Sequence, residues 1–422
     1  MRSDRLPARR ADSRRRRGRQ GGDPRPAGPD RAERGRGPRG EQRDGGAARG
    51  VGSGGRDARR THRGHARSTR CLGVGDHASR HRWPRGGRRA IGDLVKRAGK
   101  ILGVFGLLVA TCVATSALTP YFLTAYNIEN LLRRTSLFGV ISIGAAFVII
   151  VGGIDLSIGS VVALVGCLLP WLLVEHGVPI WFAVPGVLLL GLLLGLCHGL
   201  LVQRVRLQPF IVTLCGLLIY RGMARGVTGD QTVGFQNGFK GLRSLVKTRF
   251  EVPGLDGFAI PSTLLILVAI ATLAVIFLRF TVWGRHLLAT GRNASAARHG
   301  GVRTDRYVVL AYVICAGLAG FGGMLFILDV GSAQPADFGN FYELFAIAAA
   351  VLGGCSLRGG EGSVIGVIIG AALMQVLQNA ITLIDWIPDN IQYAVIGAVI
   401  IAGAISDEGF RRLLLRRRTG TP

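Results

Sequence analysis

Residues 137–174 read LFGVISIGAAFVIIVGGIDLSIGSVVALVGCLLPWLLV. The flanks 137–150 and 161–174 carry no charged residue, and each is apolar enough to lie in a bilayer. Between them VGGIDLSIGS (151–160) places a glycine pair, one Asp and two Ser. A carboxylate in hydrocarbon costs on the order of 3 kcal/mol on insertion scales, so Asp155 needs a reason to be there. Gly152 and Gly153 weaken a helix, while Ser157 and Ser160 can satisfy freed backbone groups or cap a restarting helix. Two readings stay open at this point. One is a broken helix whose irregular part, with Gly152, Gly153, Asp155, Ser157 and Gly159, faces protein or a water-filled path. The other is a tight turn between two spans, with Asp155 or Ser157 as an ordinary N-cap.

The same apolar density runs through most of the chain. Ten candidate spans emerge, at roughly 99–118, 137–152, 158–175, 179–203, 208–223, 261–283, 307–330, 341–356, 363–384 and 390–406. Several are short or interrupted by Gly, so eight or nine true crossings also satisfy the pattern. The expected fold class is all-α: a polytopic membrane protein with about ten (8–10) transmembrane helices, some of them broken. Orientation follows from the Arg-rich segments QRVRLQ (203–208), GRHLLATGRNASAARHGGVRTDR (284–306), LRGGEG (357–362) and RRLLLRRR (411–418), which ten crossings place inside together with both termini. The opposing segments SAQPADFGN (332–340) and DWIPD (385–389) carry acids and no Lys or Arg. The outer segment 224–260 departs from the bias, with Arg225, Lys240, Arg243, Lys247 and Arg249 only partly balanced by Asp230, Glu251 and Asp256.

Residues 1–90 differ in kind: 27 Arg, no Lys and 9 acidic residues, with almost no aliphatic side chains. Such a segment cannot bury a core. The expected organisation is a disordered Arg-rich leader (1–92), a transmembrane domain (93–407) and a basic cytoplasmic tail (408–422). As a leader, 1–92 reads as a tail touching anionic lipid or nucleic acid, as a transit peptide, or as upstream sequence translated from an early start. The third reading is favoured, because the residue types are those of GC-rich codons. The nine acids argue against a transit peptide. His62, His65, Cys71, His77 and His81 have spacings that this composition produces readily, so no metal site is assigned. Six of the seven Cys lie in or beside apolar segments without paired spacing, as small buried hydrophobes do.

Gly191, Gly195 and Gly199 make two small-xxx-small steps, and Gly366 with Gly370 makes another, the spacing at which helix backbones approach closely. LFGVISIGAAFVIIVGGIDL and LFAIAAAVLGGCSL share an apolar approach to a Gly pair followed two residues later by Leu, a thin echo of duplicated halves. In LLATGRNASAARHGGVRTDR (287–306), Asn293 is a good N-cap, ASAARH a short helix, and Gly300 and Gly301 a stop. A capped, exposed helix in an inner loop suits docking of a soluble partner. Residues 331–366 place Ser332, Gln334 and Asp337 at the outer edge, Glu343 at the start of a span and a second Gly-rich break, GGCSLRGGEGS, inside. Neither Gly-rich stretch has a phosphate-loop Lys, so this chain is not expected to bind nucleotide. No H-E-x-x-H or G-x-S-x-G occurs, and His198, on a Gly-lined helix, reads as a packing or interfacial residue.

Taken in order, GGIDLSIGSVVAL, LQPFIVTLCGLLIYRGMA, GRNASAARHGGV and SAQPADFGNFYELFAIAAAVLGGCSLRGGEGSVIG resemble the ribose-type permeases of bacterial ATP-binding-cassette importers, within the group that includes branched-chain amino acid permeases. YFLTAYNIENLLRRTS (121–136) resembles the segment preceding the first motif, and the likeness covers roughly residues 100–407. It implies a permease subunit, not an enzyme, in the bacterial plasma (inner) membrane. Two copies would form the path for a monosaccharide (ribose-, xylose- or galactose-like) or a similar small polyol. A cytoplasmic ATPase would bind the ATP, an extracytoplasmic sugar-binding protein would deliver the solute, and this chain would hold no cofactor, metal or nucleic acid.

On this resemblance Gly152, Gly153, Asp155, Ser157, Gly159, Gln334 and Glu343 are the expected path or helix-break residues. Gly291, Arg292, Asn293, Ala296, Ala297, Arg298 and Gly301 match the family's ATPase-coupling segment. Phe345 stands where an acid is common in such permeases, and Cys355 where Thr is. The competing expectation is a self-energised secondary transporter or channel using Asp155 and Glu343 as ion-coupling carboxylates.

Overall fold

Long uncharged runs become helices in lipid because the backbone N–H and C=O groups there have no water to bond. The computed structural model describes residues 86–384 other than 237, 252, 255 and 256, together with 394, 395, 397, 398 and 401; side chains are described from residue 101. The chain divides into two units, residues 1–79 and 80–422, and every described residue lies in the second. The leader up to residue 85, the His62 to His81 group, most of the span expected at 390–406 and the tail 408–422 lie outside the described residues.

Eight described helices are long and apolar enough to cross a membrane. In chain order the helices begin with α1 (Gly86–Leu118), α2 (Ala125–Ile150), α3 (Ile158–Pro170, extended to Glu175 by a π-turn), α4 (Ile180–Gln203) and α5 (Pro209–Val227). The short α6 (Lys240–Lys247) precedes α7 (Ser262–Phe280), and the short α8 (Val282–Arg292) and α9 (Ala294–His299) precede α10 (Thr304–Val330). The short α11 (Tyr342–Leu352) and then α12 (Val364–Leu383) complete the described set. Four strand fragments make two small antiparallel pairs. β1 (Val233–Gly234) joins β4 (Ser332–Ala333), and β2 (Arg249–Glu251) joins β3 (Ala259–Pro261).

Burial sorts the helices. In α2 89% of the apolar window is buried, against 6% for residues 101–118 of α1, so α2 is central and α1 peripheral. α10 packs along α2, α3 and α4. α2 runs antiparallel to α10, with Phe138 against Phe326 and Gly144 against Cys315. α4 does the same through its glycines: Gly191 lies on Ala316, Gly195 on Tyr312 and Gly199 on Val309. The expected close packing at this spacing is therefore present, and Gly366 and Gly370 likewise lie on Gly353 and Ala349.

Two of the differences from the expected bounds have a physical reason in the structure. α2 begins at 125, twelve residues before the span expected at 137, and so includes Glu129, Arg133 and Arg134. Hydropathy counts those charges at full cost, but two of them are paired by distant segments. Glu129 accepts both Arg249 Nε and Nη2, and Arg133 Nη1 lies 3.6 Å from Asp329 Oδ1. The span expected at 341–356 is the 11-residue α11, about 16 Å long, too short for a bilayer core of about 30 Å. The chain before it, 331–341, folds inward against α3, with Phe338 on Gly166 and Gly339 on Gly159.

Segments assigned to the same side by charge do meet. Gly291, Ile150 and Gly360 cluster at one end. At the other end β1 joins β4, and Arg243 Nε donates to Leu328 O.

Candidate functional site

The stretch 151–160 is a turn between two spans, buried at Gly153, Asp155 and 157–160 and exposed at Gly152. Gly152 N donates to Ile149 O and Gly153 N to Val148 O, both at 2.9 Å, and Gly152 takes φ +82, the left-handed stop that only Gly adopts without strain. α11 ends the same way, with Gly354 (φ +92) bonding Val351 O and Cys355 bonding Ala350 O. The sequence echo is thus a shared helix stop, although the positive φ falls on the first Gly of one pair and the second of the other. From the turn α3 heads back to end beside β1 and β4, at the end of α10 away from the turn.

Four helices hold the turn. Asp155 is 2% exposed, and its Oδ1 accepts from Ser157 N (2.9 Å) and Ser157 Oγ (2.6 Å), an Asx turn that leads into α3. Ser160 Oγ donates to Ser157 O at 2.8 Å. Ser157 Oγ lies 3.5 Å from His198 Nδ1 on α4, and His198 Nε2 is hydrogen-bonded to Tyr220 OH on α5 at 2.8 Å. Ile154 O accepts long bonds from Tyr312 OH of α10 (3.4 Å) and Thr213 Oγ1 of α5 (3.5 Å). Asp155 Oδ2 is buried without a hydrogen-bond partner. His198, read from sequence as a packing residue, is therefore a member of the polar cluster. Its signal was a titratable side chain in an otherwise apolar span.

A second cluster joins α3, α5 and α11. Glu343, 7% exposed, has its carboxylate against Gly159, where a Cβ would collide with Oε2. The Arg221 guanidinium of α5 faces Glu343, and its Nη1 donates to Pro335 O at 3.1 Å and to Phe338 O. Sequence reasoning passed over Arg221, although an Arg inside an apolar helix is the strongest such signal a chain can carry.

Of the expected path residues, Gly153, Asp155, Ser157, Gly159 and Glu343 are buried within the bundle, and Gly152 is exposed at the turn. Gln334 lies apart. It sits in the segment between α10 and α11, where Oε1 accepts from Thr232 Oγ1 (2.5 Å) and Nε2 donates to Asp230 O (3.4 Å). The paired Arg225 guanidinium (2.7 and 2.9 Å) holds the Asp230 carboxyl below the usual carboxylate range. Phe345 packs on Phe138 beside Phe326 and Tyr342, so an aromatic cluster occupies the position where the resemblance leads one to expect an acid. Cys355 is buried beside Gly362.

The inner segment forms as its residues dictate. Asn293 caps α9, its Oδ1 accepting from Ala296 N at 2.9 Å, and Gly301 (φ +83) closes it with Val302 N bonding Ala297 O. Ala294, Ser295, Arg298 and His299 are exposed and line a shallow depression. Arg298 Nη2 anchors the helix to Thr304 Oγ1 and Asp305 Oδ1, both at 3.0 Å. Among the described residues no group of three His, Cys, Asp or Glu could hold a metal ion.

The geometry separates two roles for Asp155. Asp155→Asn keeps an oxygen at Oδ1 for both Ser157 donors, whereas Asp155→Ala leaves both buried donors without their acceptor, at about 1–3 kcal/mol. The expected result is near-normal thermal stability and solute uptake for the Asn variant and a fall in both for the Ala variant. An Asn variant that is abundant in the membrane yet inactive would place the charge itself in the path.

The family described as branched-chain amino acid transport system / permease component matches residues 127–404. The ribose import permease protein of Haemophilus influenzae is 34% identical over 305 residues, covering 72% of this chain and 91% of that protein. The xylose transport system permease protein of the same organism is 32% identical over 356 residues, covering 71% and 94%. The ribose import permease protein of Escherichia coli K12 is 34% identical over 305 residues, covering 72% and 92%. No solved structure matches the chain.

Proposed function

The chain belongs to the branched-chain amino acid transport system / permease component family, a multi-pass permease of the bacterial inner membrane, and from that premise we propose that it forms the path of an ATP-driven importer for a monosaccharide. The observation that carries the sugar is the likeness to ribose and xylose permeases over more than nine-tenths of their length.

Two copies of the chain would flank the path, a cytoplasmic ATP-binding-cassette ATPase would hydrolyse ATP, and an extracytoplasmic binding protein would deliver the sugar. The exposed α9, with Gly291, Arg292, Asn293, Ala296, Ala297, Arg298 and Gly301 shaping its base, cap, body and stop, is the surface offered to the ATPase. ATP-driven displacement of α9 would move the helices that meet at the Asp155 turn and alternately open the path to each side. In this reading Gly152, Gly153, Asp155, Ser157, Gly159 and Glu343 keep the moving helices in register, and Gln334 steadies the segment between α10 and α11.

Vesicles holding the permease with its ATPase and binding protein are expected to accumulate labelled D-ribose or D-xylose only when ATP is supplied. Sugar movement through the permease alone, without ATP, would overturn the reading in favour of a self-energised transporter.

A further inference from the structure

Three turns from distant parts of the chain meet backbone to backbone at the inner end. Gly360 N donates to Ile150 O at 2.7 Å. Gly291 lies on that same bond: a Cβ there would collide with Ile150 O and stand 2.5 Å from Gly360 N. A Cβ on Gly359 would stand 2.7 Å from Gly291 O and 3.0 Å from Gly152 N. Gly360 is covered by the Arg292 backbone and stem, and Arg292 Nε donates to Gly360 O at 3.3 Å. Gly152, Gly359 and Gly360 all have positive φ, so a side chain is opposed there by conformation, and at Gly359 and Gly360 by space as well.

We infer that Gly152, Gly291, Gly359 and Gly360 form a transmission joint that passes displacement of the α8–α9 elbow directly to the α2–α3 turn and the α11–α12 turn. Gly291 lies two residues before the Asn293 cap of α9, and Gly152 three residues before Asp155. A side-chain contact can absorb a small shift by changing rotamer. Backbone pressed on backbone has no such compliance, so the three turns move as one body. The Asp155 cluster then receives the motion through a link only three residues long, and Ser363, the cap of α12, lies three residues beyond Gly360. The joint rests on α9 being the surface that the ATPase moves, but it is a separate statement about what lies behind that surface.

Hydrogen–deuterium exchange on the assembled importer, with and without a non-hydrolysable ATP analogue, tests it without reference to the sugar. In the wild type, exchange at 293–301 is expected to respond to nucleotide together with 150–157 and 356–361. Gly291→Ala and Gly360→Ala should keep the response at 293–301 and lose it at the other two turns, with uptake of D-ribose or D-xylose reduced about tenfold. Gly177→Ala, in an outer turn with φ +61 and no atom within 4 Å of its Cβ, should leave both responses intact. Arg292→Ala opens space where the glycine variants fill it, so it serves where those fail to reach the membrane; a weakened response at 356–361 is expected. Turns that respond in the variants as in the wild type overturn the joint, as does a wild type whose α9 responds alone. A wild type with no response at α9 overturns the coupling reading itself, and the joint with it.

Discussion

Arg221→Ala is expected to lower the stability of the permease on the order of 3 kcal/mol, because it leaves two carbonyls without their donor and takes a cation away from a buried carboxylate. Glu343 is 7% exposed and faces the Arg221 guanidinium across α5 and α11. The same guanidinium donates to two carbonyls of the inward-folded segment, Pro335 O and Phe338 O. Alanine removes both hydrogen bonds and the cation that attracts the Glu343 carboxylate. Unfolding of the detergent-purified protein measures the effect. Adding Glu343→Gln to Arg221→Ala should recover part of the stability, since the buried charge is gone while the two carbonyls remain without their donor. Arg221→Lys, which keeps the charge but not the two-pronged reach, should fall between. A single Arg221→Ala variant as stable as the wild type would mean that the charge of Glu343 is balanced elsewhere.

Legibility in the sequence depended on how local the cause was. The α9 cap and stop were readable because Asn293 and Gly301 act within a few residues, and the α4 glycines because their spacing alone makes a contact face. The start of α2 was not. Glu129 finds Arg249, and Arg133 finds Asp329, 120 and 196 residues away respectively, and a hydropathy window registers charges without their partners. The inward fold of 331–341 escaped for a similar reason, since its polar Ser, Gln and Asp describe a surface loop until Arg221 is seen to hold its carbonyls. Within the site, Asp155 announced itself as an acid among aliphatics. Its partners came from α4, α5 and α10, and no spacing within 151–160 could have named His198, Tyr220 or Tyr312.

Gly195→Leu should do the greatest damage of any single change on α4, and the reason separates two kinds of glycine on one helix. At Gly195 a Cβ would meet the Tyr312 carbonyl and stand 2.8 Å from Val313 Cα, so the obstacle is the backbone of α10 and no rotamer change relieves it. Overpacking costs about 1–3 kcal/mol where side chains can shift, and a backbone obstacle puts Gly195→Leu at or above the top of that range. α10 also supports α2 and α3, so forcing α4 away loosens the wall that positions Asp155. Gly191, whose added Cβ would stand 3.0 Å from Ala316 O, should tolerate Ala with a smaller loss. Gly186 has nothing within 4 Å and should accept Leu at no cost, even gaining from the better helix former. Membrane abundance and thermal unfolding of the three variants should therefore rank Gly186→Leu, Gly191→Ala, Gly195→Leu from most to least stable. Equal stability of Gly186→Leu and Gly195→Leu would mean that α4 and α10 do not meet through this face.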